Sequence, residues 1–289
     1  MPAVPHVIDV EALVAIDVHV HAHGAVDEGS PVAQAARNYF GASDVPEELS
    51  ALAGYYRERK MAAVIFSVDE RLSGRAMLPN DDVLAAAAEQ PDVLIPFASV
   101  DPTRGDAALV EARRLIATGN VRGFKLHPQL QRFFTNDPSI YPFYELLEQA
   151  RLPVIVHTGH SGIGTGVRGG GGVRLKYGDP MLLDDVAVDF PDLQIVMAHP
   201  SFPWQDEAIS VCLHKPNVWI DLSGWSPKYF SPTLVQYANT LLRDKVLFGS
   251  DYPLITPDRW LKDFAEISIR PEVRPKILKE NAIRLLGLR

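Results

Sequence analysis

The chain of 289 residues has a single cysteine, Cys212. No disulfide can form within it, which suits a reducing compartment. No apolar run approaches the ~18–20 residues needed to cross a bilayer. No block of basic residues is present and the formal net charge is −8, so nucleic acid and anionic membrane surfaces are poor partners. The first residues, Met1 to His6, lack the basic segment and apolar stretch of a secretory leader. These absences leave the expectation of a cytoplasmic protein that acts on a small molecule.

What the chain does have is apolar side chains in short pieces. They make up 47% of the residues, enough for a large core. Runs rich in valine and isoleucine at 14–20, 62–68, 94–100, 121–127, 153–158, 194–199, 217–223 and 245–250 predict strands. Most are continuous rather than alternating, as in parallel strands covered on both faces. Amphipathic segments at 46–60, 80–90, 105–118, 139–150, 180–190, 204–214, 231–243 and 258–267 predict helices between them, with a terminal helix over 271–286. Asp179-Pro180 and Ser231-Pro232 each pair a capping residue with a proline suited to the first helical position. Gly287 follows the terminal helix, where a C-cap glycine belongs. This rhythm predicts an α/β fold, one (β/α)8 barrel over residues 1–289. The connections 22–45 and 159–179 are long for a compact domain. The second is dense in glycine and is expected to act as a movable flap. Its Gly164-x-Gly166-x-x-Gly169 matches a dinucleotide-binding pattern, but no helix opens at the glycines, which argues against that use.

Several of the expected strands end in polar groups. Ile16-Asp17-Val18-His19-Val20-His21 puts two imidazoles on one face. Val154-Ile155-Val156-His157, Ile195-Val196-Met197-Ala198-His199 and Val246-Leu247-Phe248-Gly249-Ser250-Asp251 end similarly. In a barrel these ends ring one mouth, and buried polar groups there need a partner. His19, His21, His157 and Asp251 are therefore expected to hold a divalent ion. Zinc suits this donor set first; manganese, iron and cobalt suit it too. A water on such an ion becomes acidic enough to attack a carbonyl near neutral pH. His199 is a further ligand or a catalytic acid, and Asp251 a proton acceptor.

Lys125 and His127 end the fourth strand and share a face. The lysine is expected to bind an anionic substrate group, to bridge two metals once carbamylated, or to seal the mouth as an ion pair; the first, with an unmodified amine, is the expectation. Arg174 and Lys176 could grip a carboxylate or phosphate. Trp204, Trp225, Tyr229 and Tyr252 could wall a planar substrate or simply pack. His23 and His160 are expected beside the site without being ligands. Cys212 and His214 lie two apart on a helix and cannot face each other, so Cys212 is expected in the core.

At these residues the chain resembles the amidohydrolase superfamily, in the branch of the aminocarboxymuconate semialdehyde and γ-resorcylate decarboxylases (amidohydrolase family 2). The resemblance runs from His19-x-His21 to Glu280-Asn281-Ala282-Ile283-Arg284-Leu285-Leu286, and Phe248-Gly249-Ser250-Asp251-Tyr252-Pro253 is especially similar. It implies a distorted (β/α)8 barrel with one divalent metal on His19, His21, His157 and Asp251, a catalytic His199 and, in some members, a homodimer. His199-Pro200-Ser201-Phe202-Pro203-Trp204 departs from the glycine-rich motif often found there in the decarboxylases, and Lys125 resembles the lysine that bridges two metals in other members. The expected activity is thus hydrolysis of a small aromatic or carbonyl compound, with nonoxidative decarboxylation as the alternative. The chain also resembles a subgroup linked to aromatic β-ketoacyl thioesters.

Overall fold

The computed structural model describes residues 8–24, 29–40, 48–74 and 77–288. The N-terminal segment to His6, part of the 22–45 connection and the first residues of the helix expected at 46 lie outside the described residues. Among the described residues the strands are β1 (Ala15–His21), β2 (Met61–Phe66), β3 (Leu94–Pro96), β4 (Phe124–Leu126), β5 (Val154–His157), β6 (Ile195–Ala198), β7 (Val218–Asp221) and β8 (Val246–Leu247). The helices are α1 (Pro31–Phe40), α2 (Leu49–Glu58), α3 (Asn80–Glu89), α4 (Asp106–Ala117), α5 (Pro128–Gln131), α6 (Tyr141–Gln149), α7 (Leu182–Asp189), α8 (Gln205–His214), α9 (Pro232–Ala238), α10 (Pro257–Glu266) and α11 (Asn281–Leu286).

The strands pair in chain order and in parallel, β1 to β3 in one ladder and β4 to β8 in another. Backbone hydrogen bonds join the ladders at both seams. Ala98 N donates to Gly123 O (3.0 Å) and Lys125 N to Ala98 O (2.8 Å) between β3 and β4. Val18 N donates to Phe248 O (3.0 Å) and Asp251 N to His19 O (3.0 Å) between β8 and β1. The result is the TIM-type ring of strands expected from the alternating pattern.

β1 is not regular. Ile16 partners Ala62 and His21 partners Phe66, so the register slips by one residue between Asp17 and Val20. Ala62 and Phe66 share a face of β2, and the slip lets Ile16 and His21 share a face of β1 although they lie five positions apart. The lower part of β1 thus gives apolar residues to the barrel interior, and the upper part gives histidines. Asp17 faces outward toward α2, where Tyr56 Oη donates to its Oδ2 at 2.8 Å.

Ile16, Ala62, Val64, Ile95, Ile155, Val196 and Leu247 fill the interior, and Ala282, Leu286 and Leu288 from the C-terminal end pack onto the same cluster. A larger cluster lies between strands and helices and includes Tyr56, Leu115, Leu147, Val186 and Trp260. Trp260 is fully buried, packs on Phe248 and Phe264, and donates its indole N–H to Leu222 O at 3.1 Å. Truncating a side chain so placed costs about 3–5 kcal/mol.

Four expectations need correction. The 22–45 connection contains α1, whose start carries the same capping chemistry used at Ser231: Ser30 Oγ accepts from Ala33 N at 3.3 Å, with Pro31 opening the helix. Asp179 does not cap a helix beginning at Pro180. Its Oδ1 accepts from Met181 N (2.9 Å), and α7 starts only at Leu182. The terminal helix is a π turn over Lys276–Glu280 followed by the short α11, which Gly287 ends in a left-handed conformation. β4 and β8 are much shorter than 121–127 and 245–250. At β4 the Phe97 ring lies against Gly123, where a Cβ would sit 2.3 Å from it, so the interior is crowded just before the ladder begins.

Candidate metal centre and substrate chambers

The C-terminal ends of β1, β5, β6, β7 and β8 carry the polar groups of the mouth. His21 Nε2 lies 3.1 Å and His19 Nε2 lies 3.4 Å from Asp251 Oδ1. One nitrogen of His19, one of His199 and one oxygen of Asp251 fall within 4.8 Å of one another. Asp251 follows β8 and His199 follows β6, and both have left-handed backbones (φ 68° and 73°). Such conformations cost a non-glycine residue about 1–3 kcal/mol and gather at functional sites. Gly224, itself left-handed, lets the chain pass the His199 ring, where a Cβ would meet Nδ1 at 2.6 Å.

Of the four expected ligands, His19, His21 and Asp251 converge directly. His157 reaches the cluster through His199, its Nδ1 being 2.9 Å from His199 Nε2. The other nitrogen of His157, Nε2, is buried and has no hydrogen bond among the described residues. His127 stacks on this ring at 3.9 Å. Burial pushes His157 and His127 well below the usual imidazole range, with neighbouring cationic groups adding. Neutral imidazoles and a carboxylate, gathered on strand ends with a buried nitrogen to spare, fit one divalent ion.

Asp221, at the end of β7, was not among the expected residues. Its Oδ2 accepts from His19 Nδ1 at 2.9 Å, and its Oδ1 from His199 N (3.2 Å), Ser223 N (2.9 Å) and the Ser223 hydroxyl. Burial acts to raise its pKa, but His19 and His199, with the hydrogen bonds from His19 and Ser223, hold the carboxyl well below the usual range. Burial and then Lys125 push His19 down to about 3, so the ring is neutral and its Nδ1–H goes to Asp221. That fixes the tautomer and leaves the Nε2 lone pair facing the mouth. The signal for Asp221 was present in Val218-Trp219-Ile220-Asp221, an apolar strand ending in a carboxylate like the others.

Lys125 Nζ lies 3.1 Å from His19 Nε2 and 5.1 Å from the centre of the Phe66 ring. The side chain is wholly buried, and burial pushes it down to about 8 against the pull of Asp221 and Asp251. A single lone pair on Nε2 serves one cation at a time, so an ion ligated there displaces this hydrogen bond.

Among the described residues, two chambers open on the centre. The smaller, about 70 Å³, is lined by His21, His23, Glu70, His127, Leu130 and Ile163 among others. The larger, about 230 Å³, is lined by His160, Trp225, Tyr229, Ile255 and Arg259 among others. His157, Gly162, His199 and Asp251 line both. The glycine-rich connection thus contributes Ser161, Gly162 and Ile163 to the walls.

The remaining expected substrate contacts are dispersed. Lys125 lines neither chamber, and its amine is held by His19. Arg174 and Lys176 line neither, and Lys176 lies over the Phe134 and Tyr177 rings. Trp204 precedes α8 and lines neither. Tyr252 is turned outward by the left-handed Asp251 and packs against Tyr55 and Tyr56. His23 and His160 do lie beside the centre, the first stacked on His21. Cys212 is buried in the core, its thiol against Val218 O.

A parallel-strand ring with histidines and a carboxylate at one mouth is a frame shared by barrel enzymes that hold a metal at the strand ends. A sequence model described as amidohydrolase matches residues 16–288, and the chain belongs to this family. Among solved structures, an uncharacterised TIM-barrel protein from Bordetella bronchiseptica is similar, with 25% identity, 94% of this chain and 98% of that chain covered, and a TM-score of 0.77. A probable 2-pyrone-4,6-dicarboxylic acid hydrolase from Acinetobacter baumannii, solved with citric acid, is 20% identical over 95% and 99%, with a TM-score of 0.65. A dihydroxybenzoic acid decarboxylase from Polaromonas sp. JS666, solved with manganese and 2-nitroresorcinol, is 16% identical over 95% and 97%, with a TM-score of 0.64. Among the described residues no helix is long and apolar enough to cross a membrane.

Proposed function

We propose that this chain is a metal-dependent hydrolase of a small aromatic or carbonyl-containing compound, with one divalent ion, zinc first, held by His19, His21 and Asp251 and completed by His157 or His199. The observation that carries it is the convergence of both β1 imidazoles on the Asp251 carboxylate, 3.1 and 3.4 Å away. When bound, the ion supplies a Lewis acid and makes water acidic near neutral pH. The residues do the rest. Asp251 lines both chambers and takes a proton from the attacking water. His157 lines both chambers, and its hydrogen bond from Nδ1 to His199 Nε2 gives a proton a path away from the reacting group. Asp221 and Ser223 hold the His19 and His199 rings in place.

The test has two parts. Metal analysis should find about one equivalent in wild type and little in a folded His19→Ala/His21→Ala variant. Turnover in oxygen-18 water should put solvent oxygen into the product, and Asp251→Asn should lower kcat by about 10²–10⁴. Full metal occupancy in the double variant would remove the site. Carbon dioxide release without solvent oxygen in the product would make the enzyme a carboxy-lyase, the chemistry named for the Polaromonas structure.

A further inference from the structure

Ser223 stands two residues past Asp221, and its hydroxyl touches three groups at once. These are Asp221 Oδ1, His199 Nδ1 at 2.9 Å and His19 Nδ1 at 3.0 Å. The side chain is wholly buried. Gly249 makes the room: a Cβ there would lie 2.9 Å from the Cβ atoms of both Ser223 and His19.

Counting protons fixes the direction of each bond. A hydroxyl has one proton to give and two lone pairs to fill. The ionised Asp221 carboxylate only accepts, so the Ser223 proton goes to Oδ1. The other two contacts must then be N–H donors, Nδ1 of His199 and Nδ1 of His19, the latter shared with Asp221 Oδ2 at 2.9 Å. A neutral imidazole has one proton. With that proton on Nδ1, His199 Nε2 is bare and accepts from His157 Nδ1, 2.9 Å away. His157 thus keeps its proton on Nδ1, and its buried Nε2, which has no hydrogen bond among the described residues, holds a free lone pair. The reverse order would put the His157 proton on Nε2 and bury an N–H without an acceptor, at a cost of about 1–3 kcal/mol. One saturated hydroxyl therefore orders three rings from β1, β5 and β6.

We propose that Ser223 is the positioning residue of the candidate centre: its hydroxyl sets the tautomers of His19, His199 and His157, so that His157 and not His199 completes the ligand set. Both ring nitrogens of His199 are engaged, one by Ser223 and one by His157. This deepens the hydrolase proposal and rests on its metal centre, but tautomers and metal affinity are read without turnover.

The experiment is nitrogen-15 NMR of the histidine-labelled chain, loaded with zinc and again after a chelator has removed it. Nine histidines keep the spectrum assignable. In wild type, His199 should carry its proton on Nδ1 and His157 on Nδ1 in both states, with zinc on His157 Nε2. In zinc-free Ser223→Ala the His199 proton should move to Nε2 and the bond to His157 should reverse. Zinc affinity of that variant, measured against a competing chelator, should fall about 10–100-fold. Ser201→Ala removes a buried hydroxyl that bonds Thr158 Oγ1 (2.7 Å) and the His199 carbonyl (3.4 Å) but no ring; it should change neither readout. A proton on His199 Nε2 in wild type, zinc on His199 in place of His157, wild-type zinc affinity in Ser223→Ala, or the same reversal in Ser201→Ala would each overturn the assignment. If Ser223→Ala does not fold, the wild-type spectra alone decide. The expected tautomers and zinc affinities in an enzyme that puts no solvent oxygen into any product would leave the role of Ser223 standing and remove the hydrolase assignment.

Discussion

Two wholly buried carboxylates, Asp17 on the outside of β1 and Asp221 on the inside of the mouth, make opposite use of the same low-dielectric surroundings. Asp17 accepts from Ser250 N (2.9 Å), Ser250 Oγ (2.5 Å), His19 N (3.1 Å) and Tyr56 Oη (2.8 Å). Burial outweighs these donors, raising its pKa to about 7. Asp221 has a comparable set of hydrogen bonds but sits against the His19 and His199 rings and stays ionised. The outer carboxyl is a structural tie between β1 and the segment that carries Asp251. The inner one is a charge set beneath the candidate ligands. Satisfying hydrogen bonds is therefore not what separates the two; the neighbouring rings are.

The largest effect should follow from breaking the inner member. Asp221→Ala should cost about 1–3 kcal/mol of stability by leaving buried donors unpaired and lower metal affinity about 10–100-fold by freeing the His19 tautomer. Asp17→Asn should cost about 1 kcal/mol, because one hydrogen-bond acceptor is exchanged for an amide in a site where the carboxyl is already half protonated near neutral pH. Denaturant melts and metal titrations of both variants check this, and equal losses would erase the distinction.

Acid titration sharpens the contrast. His19, His127 and His157 have folded pKa values below their unfolded value of about 6.5. The unfolded chain binds more protons below that pH, so their contribution is complete above about 6.5 and is lost on acidification toward the folded value, about 3 for His19. Each costs about 1.4 kcal/mol per pH unit across the window. Asp17 has the opposite sign. Its folded pKa of about 7 lies above the unfolded value of about 3.8, so the native state takes up a proton first and acidification strengthens it. Metal-free enzyme should therefore lose urea resistance between pH 6.5 and 4 more steeply in Asp17→Asn than in wild type.

The smallest expected effect is Tyr56→Phe, which removes one neutral donor to Asp17. It should cost about 1 kcal/mol and leave metal content intact, as read by a melt and metal analysis. Loss of metal in this variant would show that the outer tie controls the inner geometry.

The strands were legible because parallel strands covered on both faces are continuously apolar, and His19, His21, His157, His199 and Asp251 stand out as candidates because they interrupt that pattern at its ends. Asp221 interrupts it in the same way and was passed over, since a single carboxylate after Trp219-Ile220 also reads as the first residue of a loop. Helix α1 was hidden in a segment judged only by its length, although Ser30-Pro31 repeats the signal recognised at Ser231-Pro232. The slip in β1 left no trace, because Ile16 to His21 looks like a regular strand whichever residue is doubled.

The seam between β8 and β1 ties the timing of function to folding. One of the backbone bonds that close the ring runs from Asp251 N to His19 O, between two candidate ligands from opposite ends of the chain. The pocket chemistry therefore cannot precede closure: a nascent chain that has released every strand but the last still lacks both the clasp and the carboxylate. A divalent ion that grips His19 and Asp251 together acts as a rivet across that clasp, and it should slow unfolding far more than it speeds folding, because the seam joins late.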